Sequence, residues 1–259
     1  MIRSANLKKI LLIVFIMGCE ESVEPEGRGG VIITFDDRSI NNWYSHRNYY
    51  LNNNIKCTFF LSNIHDYTND EINMLIELHN DGHELAYHGT HHINANEYLQ
   101  DHTLQEYLDY EILPDLFIMD SLLTNPISFA YPFGARNDSL DQYLFVYFEI
   151  LRGTAYNNQI LKNIEDLESV FVTLDKTNTL VHGVGIDSIY NNSFDDVKGG
   201  LNRANNNNEI IIFYLHNIGG DNIYHINFEF FNQIINYVNN LDMPILTISQ
   251  INSTNDIHP

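Results

Sequence analysis

Two short segments of the sequence contain residue types that together could bind a metal ion and activate water. The first is TFDD at residues 34–37, where Asp36 and Asp37 directly follow the apolar run VII at residues 31–33. The second is HGTHH at residues 88–92, and we expect a single helical turn to present His88 and His92 on one face. One carboxylate and two histidines are a common ligand set for a catalytic zinc ion that keeps a position open for water. Because the other carboxylate remains free to act as a base, the two segments together predict a metal-dependent hydrolase.

Each segment alone also has a purely structural explanation. Two neighbouring acids after a strand are often a turn followed by a helix N-cap. His91 lies directly beside His92, so either could be the second imidazole, and the spacing from His88 favours His92 and leaves His91 facing solvent. The hydrolase prediction therefore depends on both segments occurring together.

Strand-like and helical patterns alternate along the chain in a way that would bring these residues together. The strand-like runs are at residues 31–35, 57–61, 84–87, 127–130, 150–154, 170–174, 210–215 and 245–248, and the helical patterns are at residues 70–80, 98–123 and 228–241. Strands separated by helices predict parallel βα units. The expected fold is therefore α/β, a distorted (β/α) barrel of parallel strands in a single domain. In such a barrel the functional residues gather at the carboxyl ends of the strands, and Asp36, Asp37, His88, Tyr131 and His216 all follow strand-like runs.

The N-terminal residues predict export. Arg3, Lys8 and Lys9 precede a short apolar stretch that ends in the sequence IMGC, with Cys19 in the place of a lipidated cysteine. We therefore expect a lipoprotein-type signal peptide at residues 1–18; an ordinary signal peptide with an incidental cysteine is the alternative. Residues 19–30 are acidic, contain Pro and Gly and lack apolar periodicity, which is typical of a flexible tether. Residues 31–259 would then be the functional domain, exported and lipid-anchored to a bacterial membrane or cell surface.

Composition limits the partners of this domain. The chain of 259 residues has 34 acidic and 13 basic side chains, a formal net charge of -21. This charge excludes nucleic acid as the expected partner, because phosphate backbones require a basic surface. It also disfavours polyanionic glycans, whereas a neutral acetylated glycan fits. We expect a monomer that meets a membrane only through a lipid on Cys19, with Cys57 as a buried core residue that forms no intramolecular disulfide.

Four segments in order resemble the motifs of a known family. The sequences TFDD and HGTHH, the latter introduced by DGHEL at residues 81–85, resemble the first two motifs of the polysaccharide deacetylases, the NodB-homology enzymes of carbohydrate esterase family four. The sequence FAYPFG at residues 129–134 is similar to the third motif, and IIFYLH at residues 211–216 is similar to the last. The resemblance extends from about residue 31 to about residue 251.

This resemblance implies a role for each candidate residue. We assign the divalent metal, with zinc as the expected ion, to Asp37, His88 and His92. The resemblance implies that Asp36 is the base that takes a proton from water and that His216 is the acid that protonates the leaving group. The third motif implies an oxyanion or substrate site at Tyr131, Pro132 and Phe133, with the backbone N–H of Phe133 as the oxyanion donor.

The sequence departs from the family pattern at three points. Ala130 stands where many members have an arginine that orients the catalytic aspartate, and Gly89 stands where Ser or Thr is usual. The fourth motif, an Asp near a Trp that tunes the catalytic histidine, has no match, and the only tryptophan is Trp43. Arg152 is a candidate to approach Asp36 from another strand. These departures leave the metal ligands intact but bear on substrate class and activity.

Three functions are compatible with these features. The first is a metal-dependent hydrolase that removes N- or O-acetyl groups from a carbohydrate. The second is a carbohydrate-binding lipoprotein that kept the fold and the metal but is catalytically weak or inactive. The third is a structural lipoprotein without a ligand, which four motif-like segments in order disfavour. The presence of both Asp36 and His216 favours the enzyme.

Overall fold

The computed structural model describes residues 29–155, 163–173 and 179–252. The predicted signal peptide and the predicted tether up to residue 28 lie outside the described residues. Gly30, assigned to the tether from the sequence, is instead the first residue of a strand. Among the described residues, no helix combines the length and the apolar character needed to cross a membrane.

A closed barrel of parallel strands forms the centre of the fold. The strands of the described residues are β1 (Gly30–Asp37), β2 (Thr58–Leu61), β3 (Glu84–Tyr87), β4 (Ser128–Ala130), β5 (Ile150–Thr154), β6 (Phe171–Val172), β7 (Thr179–Gly185), β8 (Ile210–Leu215) and β9 (Ile245–Leu246). Seven of them run parallel in the order β1-β2-β3-β4-β5-β7-β8, and β8 pairs with β1 to close the ring. β9 adds to β1 in parallel, and β6 adds to β8 antiparallel. The predicted single-domain (β/α) barrel is confirmed.

Both faces of the barrel strands are buried, which explains their nearly continuous apolar sequences. Ile32, Phe60 and Ile212 belong to a small cluster inside the barrel. Their neighbours in sequence belong to a larger cluster between the strands and the surrounding helices, which includes Phe35 and the fully buried Trp43. Cys57 is buried with its thiol free, as predicted for a core cysteine.

Helices cover the outside of the barrel. Their bounds are α1 (Ile40–Ser45), α2 (Arg47–Asn52), α3 (Asn69–Asn80), α4 (Ala95–Tyr98), α5 (Leu104–Tyr107), α6 (Leu113–Leu122), α7 (Asp138–Leu144), α8 (Phe194–Asn207) and α9 (Phe228–Asn240). Several begin at side chains that accept hydrogen bonds from the first turn. Thr68 and Glu71 form a capping box at α3, and Ser193 and Asp196 form one at α8.

Three sequence predictions of secondary structure are corrected by the fold. β7 and α8 were not predicted, because glycines and polar residues interrupt their apolar patterns. Gly185 lies where a Cβ would come within 2.2 Å of the Tyr190 ring, so the close approach requires glycine. The helix predicted over residues 98–123 is instead divided into the end of α4, α5, a five-residue π-helical turn (Leu108–Ile112) and α6. Of the described residues in the strand-like run predicted at 170–174, Phe171 and Val172 form β6.

Candidate active site

The carboxyl end of β1 presents the two neighbouring acids at the rim of the barrel. Asp36 is 4% exposed, and Asp37 is partly exposed with a positive φ of 82°. Positive φ is uncommon outside glycine and is found where surrounding structure imposes the conformation. The two carboxylates consequently have different surroundings although they are adjacent in sequence.

Asp37, His88 and His92 come together as one cluster. Asp37 Oδ1 lies 3.0 Å from His92 Nε2 and 3.4 Å from His88 Nε2. One potential ligand atom from each of the three residues lies within 4.8 Å of the others, the only such group of three or more found in the described part of the chain. The helical turn predicted for residues 88–92 is wrong, since the segment is a loop in which Gly89 and His92 have positive φ values of 89° and 56°.

The protonation of His88 makes this cluster suitable for a cation. His88 Nδ1 lies 2.8 Å from the carbonyl oxygen of Ala130, so Nδ1 carries the proton that it donates. Nε2 is therefore the ring nitrogen that faces Asp37, and burial lowers the pKa of His88 while the contact with Asp37 acts in the opposite direction. Burial opposes ionisation of Asp37, but the interactions with His88 and His92 outweigh it and hold the pKa of this carboxyl well below its usual range. Two imidazole nitrogens beside a carboxylate are a donor set that suits a divalent ion.

His91 is not part of the cluster. Its ring packs on Tyr110 at 4.2 Å between centroids and lies 5.7 Å from the ring of His65. Its Nδ1 atom is buried, so the expectation that His91 faces solvent is only partly met. His83, in the segment that leads to His88, accepts a hydrogen bond from the backbone N–H of Cys57 at 3.0 Å.

Arg152 occupies the place left by Ala130. The two residues are register partners on β5 and β4, and Ala130 belongs to the cluster inside the barrel. The fully buried Arg152 donates from Nη2 to both carboxylate oxygens of Asp36 at 2.5 Å. Its guanidinium carbon lies 5.1 Å from the Phe60 ring centroid and 5.2 Å from that of Tyr214. The arginine expected on one strand is thus supplied by the next strand, as the sequence suggested for Arg152.

His216 has an acidic partner that the sequence did not reveal. His216 Nδ1 lies 2.5 Å from Asp187 Oδ2, and the backbone N–H of His216 donates to Asp187 Oδ1 at 3.2 Å. Burial disfavours the charged ring, but the hydrogen bond to Asp187 outweighs it and raises the pKa of His216 to about 9. His216 Nε2 lies 3.8 Å from Asp37 Oδ2. Asp187 was missed because it follows the unpredicted strand β7; the only signal was an acid just after the sequence VGI at residues 184–186.

The third segment divides between the core and the surface. Tyr131 is fully buried and donates from its hydroxyl to Asp141 Oδ1 at 2.6 Å, which places its side chain in the core. Pro132 is also buried. Phe133 is 56% exposed with a φ of 58°, and its ring centroid lies 4.7 Å from that of His92. Of the three predicted oxyanion or substrate residues, Phe133 is therefore the one whose side chain borders the cluster.

Trp43 also contributes to this end of the barrel. Its indole N–H donates to the carbonyl oxygen of His216 at 2.7 Å. The only tryptophan in the sequence thus contacts the backbone of His216, the residue that the fourth motif was expected to tune. It comes from α1, far from Asp187 in sequence.

Solved structures with the same fold are carbohydrate-active proteins. The Xyl-CE4 domain of a multidomain xylanase from the hindgut metagenome of Trinervitermes trinervoides is 16% identical, with a TM-score of 0.56 over 86% of this chain and 89% of that one. The peptidoglycan deacetylase PdaC from Bacillus subtilis is 16% identical, with a TM-score of 0.54 over 86% and 90%. A family 4 carbohydrate esterase from Streptomyces lividans is 16% identical, with a TM-score of 0.53 over 83% and 90%. At such identities these likenesses establish the fold.

A family model matches part of the sequence. The family model described as polysaccharide deacetylase matches residues 24–145, which include Asp36, Asp37, His88 and His92, whereas His216 lies beyond the match. No curated protein sequence matches the chain. The matched segment and the barrel are similar to those of the polysaccharide deacetylase family, the NodB-homology group of carbohydrate esterase family four. Members are hydrolases of acetylated glycans and generally use a divalent metal.

Proposed function

We propose that this protein is a metal-dependent deacetylase that removes N- or O-acetyl groups from a neutral glycan. The observation that carries the proposal is the pairing of Asp36 with Arg152 and of His216 with Asp187 beside one Asp37–His88–His92 cluster. A general base must be ionised and a general acid must be protonated in the same resting site. A cation beside Asp36 and a carboxylate beside His216 favour those two states.

Asp37, His88 and His92 are the residues that would hold the metal, and zinc suits two imidazoles and a carboxylate. When bound there, the ion supplies a Lewis acid that polarises the acetyl carbonyl and makes water more acidic. The fixed Nδ1–H of His88, held by the Ala130 carbonyl, keeps the His88 Nε2 lone pair available as a ligand.

Asp36 takes a proton from the attacking water in this proposal. Arg152 fixes the orientation of the Asp36 carboxylate, because its Nη2 donates to both carboxylate oxygens. His216 then donates a proton to the departing amine or alkoxide, and Asp187 orients the ring through Nδ1 and leaves Nε2 facing the cluster. The backbone N–H of Phe133 is the proposed donor to the acyl oxygen.

The substrate and the cellular location are further parts of the proposal. The net charge of -21 favours a neutral acetylated glycan over a polyanion. Residues 1–18 would direct export and be removed, leaving a lipid on Cys19 and a tether that ends before β1. We infer a monomer that is held at a bacterial membrane or cell surface by that lipid alone.

The test is acetate release by the purified full chain. The chain is stripped with a chelator, reloaded with zinc, and assayed on peptidoglycan, chitooligosaccharide, poly-N-acetylglucosamine and acetylxylan. We expect zinc-dependent release from at least one polymer and about one bound zinc ion per chain. Absence of release from all four, together with measurable glycan binding, would instead establish the carbohydrate-binding alternative.

A matched pair of histidine variants tests the ligand assignment. His92→Ala should lose most of the bound zinc, whereas His91→Ala should retain it. Of these two histidines, His92 is the one whose ring contacts Asp37. Equal zinc content in the two variants, measured by elemental analysis, would refute the assignment.

A further inference from the structure

Gly89, the second departure from the family pattern, lies directly against a buried carboxylate. A Cβ on Gly89 would meet Glu111 Oε1 at 2.2 Å, so a side chain at this position would require the Glu111 carboxyl group to move. Glu111 is 0% exposed and lies in the π-helical turn between α5 and α6. The Glu111 carboxylate thus occupies the space that a side chain at position 89 would need.

The Glu111 carboxylate is used to organise the loop. Its Oε2 accepts a hydrogen bond from the backbone N–H of His91 at 2.8 Å, and its Oε1 accepts one from the N–H of Ile93 at 3.1 Å. These two N–H groups are on either side of His92, whose φ of 56° is unfavourable for a residue with a Cβ. A side chain that accepts hydrogen bonds from both flanking N–H groups can hold this conformation.

The π-helical turn explains how Glu111 reaches the loop. The Thr90 backbone N–H donates to the carbonyl oxygen of Glu111 at 2.8 Å, and the Thr90 hydroxyl accepts from the N–H of Asp115 at 3.3 Å. The Tyr87 hydroxyl donates to the carbonyl of Ile112 at 2.9 Å. Groups inserted between helical carbonyls and amides are a recognised cause of helix distortion. Contacts from the loop thus distort the helix at Glu111, and the side chain of Glu111 in turn binds the loop.

We propose that Glu111 is a positioning residue for the metal site, holding residues 91–93 in the strained conformation that directs the His92 side chain at Asp37. This proposal rests on the proposed function, because it takes His92 as a ligand. Glu111 itself does not contact the substrate in this proposal and acts only through the backbone on either side of His92. Gly89 has no side chain where the family usually has Ser or Thr, and Glu111 contacts the loop there from another element.

The experiment measures the zinc dissociation constant of the chelator-stripped full chain by competition with a chromogenic chelator. Glu111→Ala removes both acceptors, and we expect about a 10-fold to 100-fold rise in this constant, as is usual when a group that supports a metal ligand is lost. Glu111→Gln keeps the shape and one acceptor oxygen, so its rise should be smaller. Thermal unfolding of the metal-free variants is recorded alongside, so that zinc affinity is compared among folded proteins.

Glu84→Gln is the matched control. Glu84 accepts hydrogen bonds from the backbone N–H of Ser249 and the hydroxyl of Ser128, both at 2.8 Å, at the other end of the barrel. Its loss should lower the unfolding temperature without changing zinc affinity. If Glu84→Gln and Glu111→Gln raised the dissociation constant alike, the effect would be one of general stability and the proposal would be wrong.

A double-mutant cycle isolates the Gly89 contact. Gly89→Ala should weaken zinc binding through both the collision with Glu111 and the strain of a positive φ. The strain is present in either background, whereas the collision disappears in the Glu111→Ala background. We therefore expect the two changes to be less than additive, as for residues in direct contact. Additive effects would contradict the proposal, and failure of the wild-type chain to bind zinc would instead refute the proposed metal site.

Discussion

Two carboxylates at opposite ends of the barrel have different kinds of partners. Asp36, at the carboxyl end of β1, is paired with the buried cation Arg152. Glu84, at the amino end of β3, accepts hydrogen bonds from neutral donors, among them the hydroxyls of Ser128 and Thr58 at 2.8 and 3.2 Å. Burial raises the pKa of Glu84, although its hydrogen bonds act in the opposite direction. The carboxylate with neutral donors joins strands, whereas the carboxylate at the site is held in place by a buried guanidinium.

Several residues at the carboxyl end of the barrel have an unusual backbone conformation. Asp37, His92 and Phe133 are non-glycine residues with positive φ, and all three lie at the carboxyl ends of strands or in the loops that follow them. Such conformations cost on the order of 1–3 kcal/mol each and persist where other contacts impose them. In α/β barrels this end carries function and the amino end carries stability. Substitutions at the carboxyl end should therefore lower activity, and a substitution at the amino end should lower stability.

Asp36→Asn should have the largest effect. The substitution keeps the shape and leaves Asp37, His88 and His92 in place, so zinc should remain bound. Turnover should fall by roughly two to four orders of magnitude, because the neutral amide cannot take a proton. Acetate release and elemental analysis on the same sample check both statements, and near wild-type release would show that Asp36 is not the base.

His216→Ala should have the next largest effect, and it should depend on the leaving group. An amide needs a proton on its departing nitrogen, and its hydrolysis should slow by roughly 100-fold or more. An activated aryl acetate needs little help, so its hydrolysis should be much less affected. Rates on the two substrates are compared with the folded fraction measured by circular dichroism; equal losses on both would indicate a purely structural His216.

Arg152→Lys should lower kcat by about 10-fold to 100-fold, in line with other residues that orient a reacting group. Lysine keeps the charge but loses the planar guanidinium that contacts Asp36 and packs between Phe60 and Tyr214. KM should change less than kcat, since the substrate is not contacted. Unchanged kcat in a folded variant would mean that Asp36 does not need this partner.

Asp187→Asn should move the pH profile with a smaller loss at neutral pH. His216 must be protonated to act as the acid, and the hydrogen bond to Asp187 raises its pKa to about 9 against a burial effect of the opposite sign. Activity in the wild type should therefore be lost as pH rises through about 9. With a neutral partner the same loss should begin at lower pH, by about one unit or more. A basic limb that stays in place in kcat/KM against pH would exclude Asp187 as the cause.

Glu84→Gln should have the smallest effect on turnover and an effect only on stability. The NH2 group that replaces one oxygen cannot accept a hydrogen bond from a donor such as the N–H of Ser249. The free energy of unfolding should therefore fall by about 1–3 kcal/mol. Denaturant unfolding gives this value and acetate release gives kcat. A fall in kcat in a fully folded Glu84→Gln would contradict the division between the two ends.

The barrel and most of its strands could be predicted because continuous apolar runs such as that of β8 occur only where both faces are buried. β7 could not, because glycines interrupt its apolar pattern, and Gly185 is needed only because the Tyr190 ring packs against it. Within the long predicted helix, the π-helical turn (Leu108–Ile112) could not be predicted, because Thr90 contacts it from a loop distant in sequence.

The sequence by itself determined the carboxylate pair after β1, the two histidines four apart and the family to which they point. Local spacing suffices for such features because neighbours in a segment stay neighbours in the fold. Only the tertiary structure decided that Arg152 replaces an arginine expected at Ala130, that Asp187 partners His216, and that Glu111 occupies the space beside Gly89. These pairs depend on strand register and on helix distortion, since atoms within about 3 Å can come from any part of a closed barrel.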